Sequence, residues 1–331
     1  MEIKFPTSPK PQNPMDKKKL SFISTQTQRA DTFLAQQLPH LSRSYLAKLI
    51  KNGHATVQNK IIKPSYKLKP GETLQLQLPN TSPNQSTPPS PENIPLNILY
   101  EDQHLLAIHK PPGMVVHPGH GNHHGTLVNA LLGYTPNLAP TDDPNKWGIV
   151  HRLDKDTSGV ILAAKTPSAH QALSQLFQQR QILKEYLALC EGIPSPPTGK
   201  ISDPIGRNPR NHQKMTIRYD QKGKPSLTYY QTLETFPHIT PKLSLLQVHP
   251  HTGRTHQIRV HLQHLGFPIL CDPLYGRRKT FSWKKQTLLS RLALHAHRIQ
   301  FQWQGKNFLF TAPLPNDLQN TLYTLRLTKK S

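Results

Sequence analysis

Hydrophobic residues near the amino terminus recur first at helical spacing and then in strict alternation. Leu46, Leu49 and Ile50 form a stripe that ends before Gly53, a residue able to close a helix. The preceding segment RADTFLAQQL has the same helical spacing, whereas GETLQLQLP alternates leucine with polar residues as a strand does. The pattern predicts a small α+β domain over residues 25–79.

Two segments beside this domain lack any periodicity. Residues 1–24 are rich in Pro, Lys and Gln, which predicts a disordered basic tail. Residues 80–95, NTSPNQSTPPSPENIP, form a Pro/Ser-rich segment that cannot bury a core, which predicts an extended, semi-rigid linker. Domains on either side of such a linker are expected to move independently.

Residues 96–331 contain more strand-like than helix-like segments and are expected to form the larger domain. LNILYEDQHLLAIHK predicts two strands around a tight turn, SGVILAAK a buried strand, and PSAHQALSQLFQQRQI and NDLQNTLYTLRL two helices. Strands and helices do not alternate regularly. The prediction is therefore an α+β domain whose mostly antiparallel or mixed sheet is flanked by helices and loops.

Charge narrows the class of partner. Lys and Arg number 41 against 18 acidic residues, a formal net charge of +23, which predicts a polyanionic partner and above all nucleic acid. A membrane is not expected, because no apolar run approaches the about 20 residues of a spanning helix. The amino terminus lacks the apolar core of a secretory signal, so we expect a cytoplasmic protein. Cys190 and Cys271 are expected to be reduced, and without an exposed apolar stripe we expect a monomer.

One charged loop is the first candidate for chemistry. In GIVHRLDKDTSGVILAAK, Asp154 lies between Arg152 and Lys155, with strand-like residues on both sides. A loop between rigid strands holds a carboxylate firmly, and positive neighbours favour its ionised, nucleophilic form. The alternative from residue types alone is a structural Asp–Arg pair that anchors the loop.

The chain's 19 histidines suggest a rival, metal-dependent RNA hydrolase. His261 and His264 lie three residues apart on an expected helix, a spacing compatible with zinc. However, no acidic residue occurs in residues 236–271, which argues against a hydrolytic metal centre there. No glycine-rich phosphate loop or dinucleotide fingerprint is present either, so neither a metal nor a cofactor is expected.

Several ordered motifs carry a family resemblance. HRLDKDTSG resembles the signature of pseudouridine synthases that act on large-subunit ribosomal RNA and on some tRNAs. HKPPGMVVHPG, GTLVNALL, KEYLALCEG, DPIGR, TGRTHQIRVHL, CDPLYG and LALHA match further motifs of that family in order. Residues 25–79 resemble the S4 RNA-binding domain, and VHPGHGNHHGT favours the type D branch, although type C enzymes share the domain plan.

The resemblance implies a reaction and roles for four residues. Enzymes of this family convert uridine in RNA to its C-glycoside isomer without cofactor or metal. The resemblance implies that Asp154 is the catalytic residue, which acts by covalent addition or by assisting elimination, and that Arg259 pairs with Asp154. Tyr186 would stack on the uracil and help abstract its proton, and Arg152 would fill the gap left by the extruded base. The alternatives are a core aromatic for Tyr186, a phosphate contact for Arg259 and a salt bridge to Asp154 or Asp156 for Arg152.

Other basic residues are expected to hold the RNA backbone, and His256 and His261 to brace the site. The predicted RNA contacts are Arg29, Arg43, Lys48 and Lys51 in the small domain and Arg207, Arg210, Arg254, Arg277 and Arg278 in the large one. The alternative is that these residues belong to an ordinary solvent-exposed surface and bind no RNA. The expected partner is 23S rRNA or the large ribosomal subunit. A second hypothesis is a non-catalytic RNA-binding or ribosome-assembly factor on the same fold.

Overall fold

The computed structural model describes residues 18–38, 41, 43–78, 89–119, 121–141 and 143–328. These residues form two compact units, a smaller one made mainly of residues up to 87 and a larger one made mainly of residues from 88 onwards.

The smaller unit packs two helices against short strands, as the periodicity predicts. Its elements are β1 (Lys18–Ile23), β2 (Gln28–Arg29), α1 (Ala30–Gln37), α2 (Arg43–Lys51), β3 (Ala55–Val57), β4 (Lys60–Ile61), β5 (Lys67–Leu68) and β6 (Thr73–Leu78). The sheet order is β1-β6-β3-β4, and β2 pairs with β5. Phe33 and Leu34 of α1, Leu46 of α2, and Leu74 and Leu76 of β6 are buried in its core.

Strand β1 lies within residues 1–24, for which a disordered tail was predicted. Residues 1–17 lie outside the described chain, but Lys18–Ile23 pairs antiparallel with the whole of β6. Leu20 and Phe22 alternate with polar residues and pack against the core. The prediction is therefore wrong for residues 18–23, because this alternation outweighs the basic composition around it.

The larger unit is built on a sheet of nine strands, counted over the described residues. The sheet strands are β7 (Ile98–Glu101), β8 (Leu105–Lys110), β9 (Ser158–Ala164), β10 (Leu183–Glu191), β11 (Thr198–Ile201), β14 (Thr228–Phe236), β15 (Leu243–Pro250), β18 (Leu294–Trp303) and β19 (Lys306–Thr311). Their order is β11-β14-β15-β10-β18-β9-β8-β7, with β19 paired to β18, and every pairing is antiparallel except that of β18 with β9. The predicted α+β class with a mostly antiparallel, mixed sheet is confirmed.

Helices and two further strand pairs complete this unit. The helices are α3 (Leu127–Tyr134), α4 (Pro167–Gln178), α5 (Gln257–His264) and α6 (Asn316–Leu327), with a 3-10 turn at Pro144–Lys146. Strands β12 (Ile205–Arg207) and β13 (Met215–Ile217) form one hairpin, called here the basic hairpin, and β16 (Phe281–Trp283) and β17 (Gln286–Leu289) form another. Every residue of β9 is buried, so this strand provides a rigid support for the loop that precedes it.

The predicted linker, residues 80–95, is also shorter than expected. Residues 79–88 lie outside the described chain, and those that follow are fastened to the larger unit. The Asn129 side chain donates to the Ser90 carbonyl at 2.8 Å, and the Glu92 carboxylate accepts from the Gly125 amide at 3.0 Å. Because these bonds hold residues 90–92 against the start of α3, this part of the segment belongs to the larger unit.

Candidate active site

The loop before β9 is anchored by a lysine with no exposed surface. Lys110 donates hydrogen bonds from Nζ to the carbonyls of Pro111, Met114 and Lys155, at 2.7, 3.0 and 3.0 Å. Burial lowers the pKa of Lys110 to about 7, although the charges of two nearby aspartates partly oppose this. Since Lys155 follows Asp154 directly, the lysine fixes the backbone beside the candidate carboxylate.

His151 anchors the other end of the loop. Its Nε2 accepts a hydrogen bond from the Leu162 amide at 2.9 Å, and its ring stacks on Phe177 with centroids 4.5 Å apart. Burial lowers the pKa of His151 to about 3, so the ring is neutral at physiological pH. Residues 148–150, predicted as a strand, contribute only an isolated bridge between Ile149 and Ala163.

Asp154 projects from this loop towards a buried arginine of α5. Arg259 Nη1 donates to Asp154 Oδ2 at 2.9 Å. The same guanidinium donates from Nε and Nη2 to both oxygens of Asp272, at 2.7 and 2.8 Å. Burial alone would lower the pKa of Arg259, but the hydrogen bonds and charge of Asp272 raise it, so the guanidinium stays positively charged. The bidentate contact therefore holds the arginine, and the arginine then reaches Asp154 through one bond.

His256 is a second neighbour of the same carboxylate oxygen. Its Nε2 is 3.8 Å from Asp154 Oδ2, and its backbone, at φ 56°, is left-handed at the start of α5. Asp154 Oδ1 has no hydrogen-bond partner among the described residues. Both neighbours therefore converge on Oδ2 and leave Oδ1 as the open oxygen.

Strand β10 contributes two side chains to the same space. Tyr186 and Lys184 are two residues apart, so they share one face of the strand, and both line the cavity at Asp154. Burial, together with the charge of Asp154, raises the pKa of Tyr186, and burial lowers the pKa of Lys184 to about 8. Lys184 Nζ makes one long contact, 3.4 Å, to the Thr252 carbonyl. The structure thus places Tyr186 and Asp154 in the lining of one cavity.

These groups surround a cavity of about 590 Å³ that opens to solvent. Its basic lining residues are Arg152, Arg180, Lys184, Arg254 and Arg259, whereas Asp154 is the one carboxylate among its lining residues. Arg152 is exposed and makes no ion pair with a described residue, so the alternative of a salt bridge to Asp154 or Asp156 is not observed. A cavity lined in this way suits a polyanion that presents a reactive group to one acid.

The loop that follows β15 also lines the cavity and is held by internal hydrogen bonds. The buried Gln257 side chain accepts from the Thr252 hydroxyl at 2.6 Å and from the Arg254 amide at 3.0 Å. Its amide nitrogen donates to the Leu227 carbonyl at 2.9 Å. His261, one turn along α5, contacts the Thr228 hydroxyl at 2.9 Å and so ties α5 to β14. His256 thus lines the cavity, whereas His261 lies behind it and contacts β14.

In the smaller unit, two of the four predicted RNA contacts are held by an acid. Arg29 and Arg43 both donate to the buried Asp31, with closest distances of 3.0 Å, and each keeps about half of its side chain exposed. Although burial alone would raise it, these bonds lower the pKa of Asp31. Lys48 and Lys51 are exposed on α2. The pairs orient the two guanidiniums and leave part of each accessible.

The predicted contacts of the larger unit differ in environment. Arg207 and Arg210 lie on the exposed basic hairpin, and Arg277 is exposed with one bond to the Gly266 carbonyl at 3.2 Å. Arg278 instead donates to Glu191, a carboxylate with 1% exposed surface, at 3.0 Å. This distant acid thus holds the Arg278 guanidinium, and a contact of Arg278 with RNA stays a prediction.

Sequence reasoning missed three residues of the site. Asp272 falls within the CDPLYG motif, but its role depends on a turn that folds back onto α5. Lys184 and Lys110 also fall within family motifs, and the signal that could have indicated them was a lysine inside an otherwise apolar strand. Their burial, and hence their effect on the site, follows only from the tertiary structure.

Neither a metal cluster nor a membrane span occurs in the part of the chain that the structure describes. Over these residues, no group of three or more His, Cys, Asp and Glu side chains comes together as a metal site would require. None of the described helices is both long enough and apolar enough to span a bilayer.

Comparison with known proteins agrees with this arrangement. Residues 104–264 match the family model described as RNA pseudouridylate synthase, and residues 28–74 match the S4 domain. A protein of Xanthomonas campestris named ribosomal large subunit pseudouridine synthase D is 43% identical over 90% of this chain and 89% of its own. One of the same name in Nitrosomonas europaea is 41% identical over 90% of this chain and 84% of its own.

A solved structure shares the fold. The human protein titled RNA Pseudouridylate Synthase Domain Containing 4 aligns with a TM-score of 0.53 at 26% identity, over 70% of this chain and 93% of that one. Fold, site and similarity together define an RNA-modifying isomerase with an attached S4 domain. The chain belongs to the RNA pseudouridine synthase family.

Proposed function

We propose that this enzyme converts specific uridines of large-subunit (23S) ribosomal RNA to pseudouridine, with Asp154 as the catalytic carboxylate. The observation that carries the proposal is the hydrogen bond between Asp154 and the buried Arg259 inside an open basic cavity. The choice of RNA is supported by the relatives in Xanthomonas and Nitrosomonas, which are named for the large ribosomal subunit.

The reaction needs a carboxylate beside the sugar. The bond from C1′ to uracil N1 breaks, the uracil turns, a bond forms from C1′ to C5, and the C5 proton leaves while N1 gains one. All other atoms are conserved and nothing is oxidised. Asp154 serves this sequence either by adding to C1′ or by assisting departure of the base. Both routes use an oxygen that faces the sugar, and Oδ1 is the oxygen that Arg259 and His256 leave open.

Tyr186 suits stacking better than proton abstraction in the resting enzyme. Burial and the neighbouring Asp154 raise its pKa, so its phenol keeps its proton at working pH. A phenol that keeps its proton is a poor base but a good aromatic surface for the detached uracil. We therefore assign to Tyr186 the stacking role, and a proton-acceptor role would first require this pKa to fall.

Arg152 is positioned to support base extrusion. A uridine within a stem or stacked loop must leave its stack to reach a cavity, at a cost of a few kcal/mol. Arg152 lies at the cavity with an exposed side chain and no ion-pair partner among the described residues. A guanidinium plane can stack in the space that the base vacates, which would offset part of the free energy of unstacking.

Mapping of pseudouridines in 23S rRNA tests the target. RNA from cells that lack this gene is expected to lose defined pseudouridines, and these should return on complementation with the wild-type gene but not with Asp154→Asn. An unchanged map of pseudouridines in 23S rRNA would contradict the proposed substrate. Loss of a pseudouridine from tRNA instead would indicate a tRNA substrate.

A further inference from the structure

A chain of hydrogen bonds joins the basic hairpin to the catalytic carboxylate. The Met215 amide, on β13, donates to the Tyr275 hydroxyl oxygen at 2.7 Å. That oxygen is in turn 2.8 Å from His256 Nδ1, and His256 Nε2 is 3.8 Å from Asp154 Oδ2. Tyr275 thus connects an exposed, basic element with the centre of the cavity.

The donors in this chain have a favoured direction. A backbone amide can only donate, so the Tyr275 oxygen accepts from Met215 and its own hydrogen is free to point at His256 Nδ1. The other tautomer, with hydrogen on Nδ1, would donate to the second lone pair of that oxygen and would leave the hydroxyl hydrogen without an acceptor among the described residues. With Nδ1 as the acceptor, a neutral imidazole carries its hydrogen on Nε2, which faces Asp154. The Tyr275 hydroxyl thus favours the tautomer that can donate to the catalytic acid.

The surroundings favour the neutral ring. Burial lowers the pKa of His256, the charges of Arg259 and Arg152 act in the same direction, and those of Asp154 and Asp272 oppose them. The Tyr275 ring adds no charge, and it also lies beneath the Arg259 guanidinium, whose carbon is 5.1 Å from the ring centre. Protonation of His256 would in addition require the Tyr275 hydroxyl to turn away from Nδ1.

We propose that His256, oriented by Tyr275, is a positioning residue that donates from Nε2 to Asp154 when RNA engages the basic hairpin. This inference rests on Asp154 as the catalytic carboxylate. At 3.8 Å the contact is longer than a hydrogen bond. A small shift of β13, transmitted through the Met215 amide and Tyr275, closes it. Oδ2 then has two donors, and Oδ1 alone faces the sugar.

The tautomer is measurable without activity. In the full-length protein labelled with ¹⁵N-histidine, the ring nitrogen shifts of His256, assigned by their loss in His256→Gln, report which nitrogen carries the hydrogen. The inference requires hydrogen on Nε2 in the wild type and a mixture of tautomers or a protonated ring in Tyr275→Phe. Hydrogen on Nδ1 in the wild type would overturn it.

Kinetics separate positioning from a structural role. The probe is an unmodified 23S rRNA transcript with tritium at uridine C5, whose release follows bond formation at that carbon. Tyr275→Phe should lower kcat about tenfold, as expected for the removal of one hydrogen bond in a site, with KM nearly unchanged. Because the ring loses the donor that stabilises its neutral form, an imidazolium forms beside Asp154 at higher pH, and its positive charge makes the carboxylate a weaker nucleophile. The acid limb of kcat therefore moves to higher pH.

Matched variants complete the test. Tyr134→Phe also removes a hydrogen-bonded tyrosine hydroxyl, which in this case donates to Glu101 from the remote α3, and should leave kcat and its pH profile unchanged. His256→Gln keeps a donor near the Nε2 position and should retain more activity than His256→Leu. Equal loss in both, or an unshifted acid limb in Tyr275→Phe, would refute the inference. Should wild-type tritium release persist in Asp154→Asn, the proposed function fails instead.

Discussion

Arg259 is bound to Asp272 by two hydrogen bonds and to Asp154 by one. Asp272 has no exposed side-chain surface, and the backbone amides of residues 274 and 275 donate to its Oδ1 at 2.9 and 3.0 Å. The acid that orients the arginine is thus itself fixed by a turn of the backbone. This arrangement leaves the Nη1 nitrogen of the guanidinium to donate to the acid that faces the cavity.

Asp272→Asn should therefore damage both stability and activity. The amide removes the charge that balances the buried Arg259, and breaking a buried pair of this kind costs about 3 kcal/mol in the free energy of unfolding. Urea unfolding measures that loss, and tritium release should fall at least as much as the folded fraction. Glu234→Gln, at an exposed pair with Arg326, is the control and should cost under about 1 kcal/mol. Similar costs for both variants would contradict the proposed role of Asp272.

Arg278 and its neighbour Arg277 should behave differently on substitution by alanine. Arg278→Ala leaves Glu191 buried without its cation, so the free energy of unfolding should fall by about 3 kcal/mol. Arg277→Ala removes an exposed side chain and should change stability by under about 1 kcal/mol while weakening RNA binding. Paired measurements of urea unfolding and RNA affinity distinguish the two. If Arg278→Ala unfolded like the wild type, its assignment as a structural cation would be wrong.

His295 should make the fold sensitive to acid. It has no exposed surface and contacts the Ser158 hydroxyl at 2.9 Å and the Ala312 carbonyl at 3.1 Å. Burial lowers the pKa of His295 from 6.5 to about 4. Between these values the unfolded chain binds a proton at this residue and the folded chain does not. Stability is therefore lost as pH falls through that range, by roughly 2 kcal/mol at pH 5. Urea unfolding at pH 7 and pH 5 should show this difference, and His295→Gln should reduce it.

Lys48 and Lys51 should contribute to RNA affinity through phosphate contacts alone. Both are exposed on α2, so a double alanine variant is expected to keep its stability. The slope of log affinity against log salt concentration should decrease by about 2, because each lysine neutralises about one phosphate. A double alanine variant at the exposed Lys242 and Lys306 provides the control. An equal change of slope in the control would mean that net charge, and not the α2 surface, governs binding.

The fold follows well from the sequence because it depends on local patterns, whereas the centre of the site follows only from the family resemblance. Period-two alternation predicts a strand such as β6, and a short apolar run predicts β9. The motifs HRLDKDTSG and TGRTHQIRVHL, which carry the resemblance, contain the acid and arginine that the structure brings to 2.9 Å. Partners distant along the chain could not be predicted. Glu191 is 87 residues from Arg278, and nothing near either residue indicates the pair. Strand β1 was also not predicted, although its pattern is local. The alternation of Leu20 and Phe22 is too short to stand out among the basic residues around it.

The most direct test of the account compares Asp154→Asn with Asp156→Asn in purified full-length protein. Both variants remove one carboxylate from the same loop, but Asp156 does not line the cavity. Tritium release from the 23S rRNA transcript should disappear in Asp154→Asn, with RNA affinity kept, while Asp156→Asn retains most of the wild-type rate. Undiminished release by Asp154→Asn would contradict the claim that this carboxylate acts on the nucleoside.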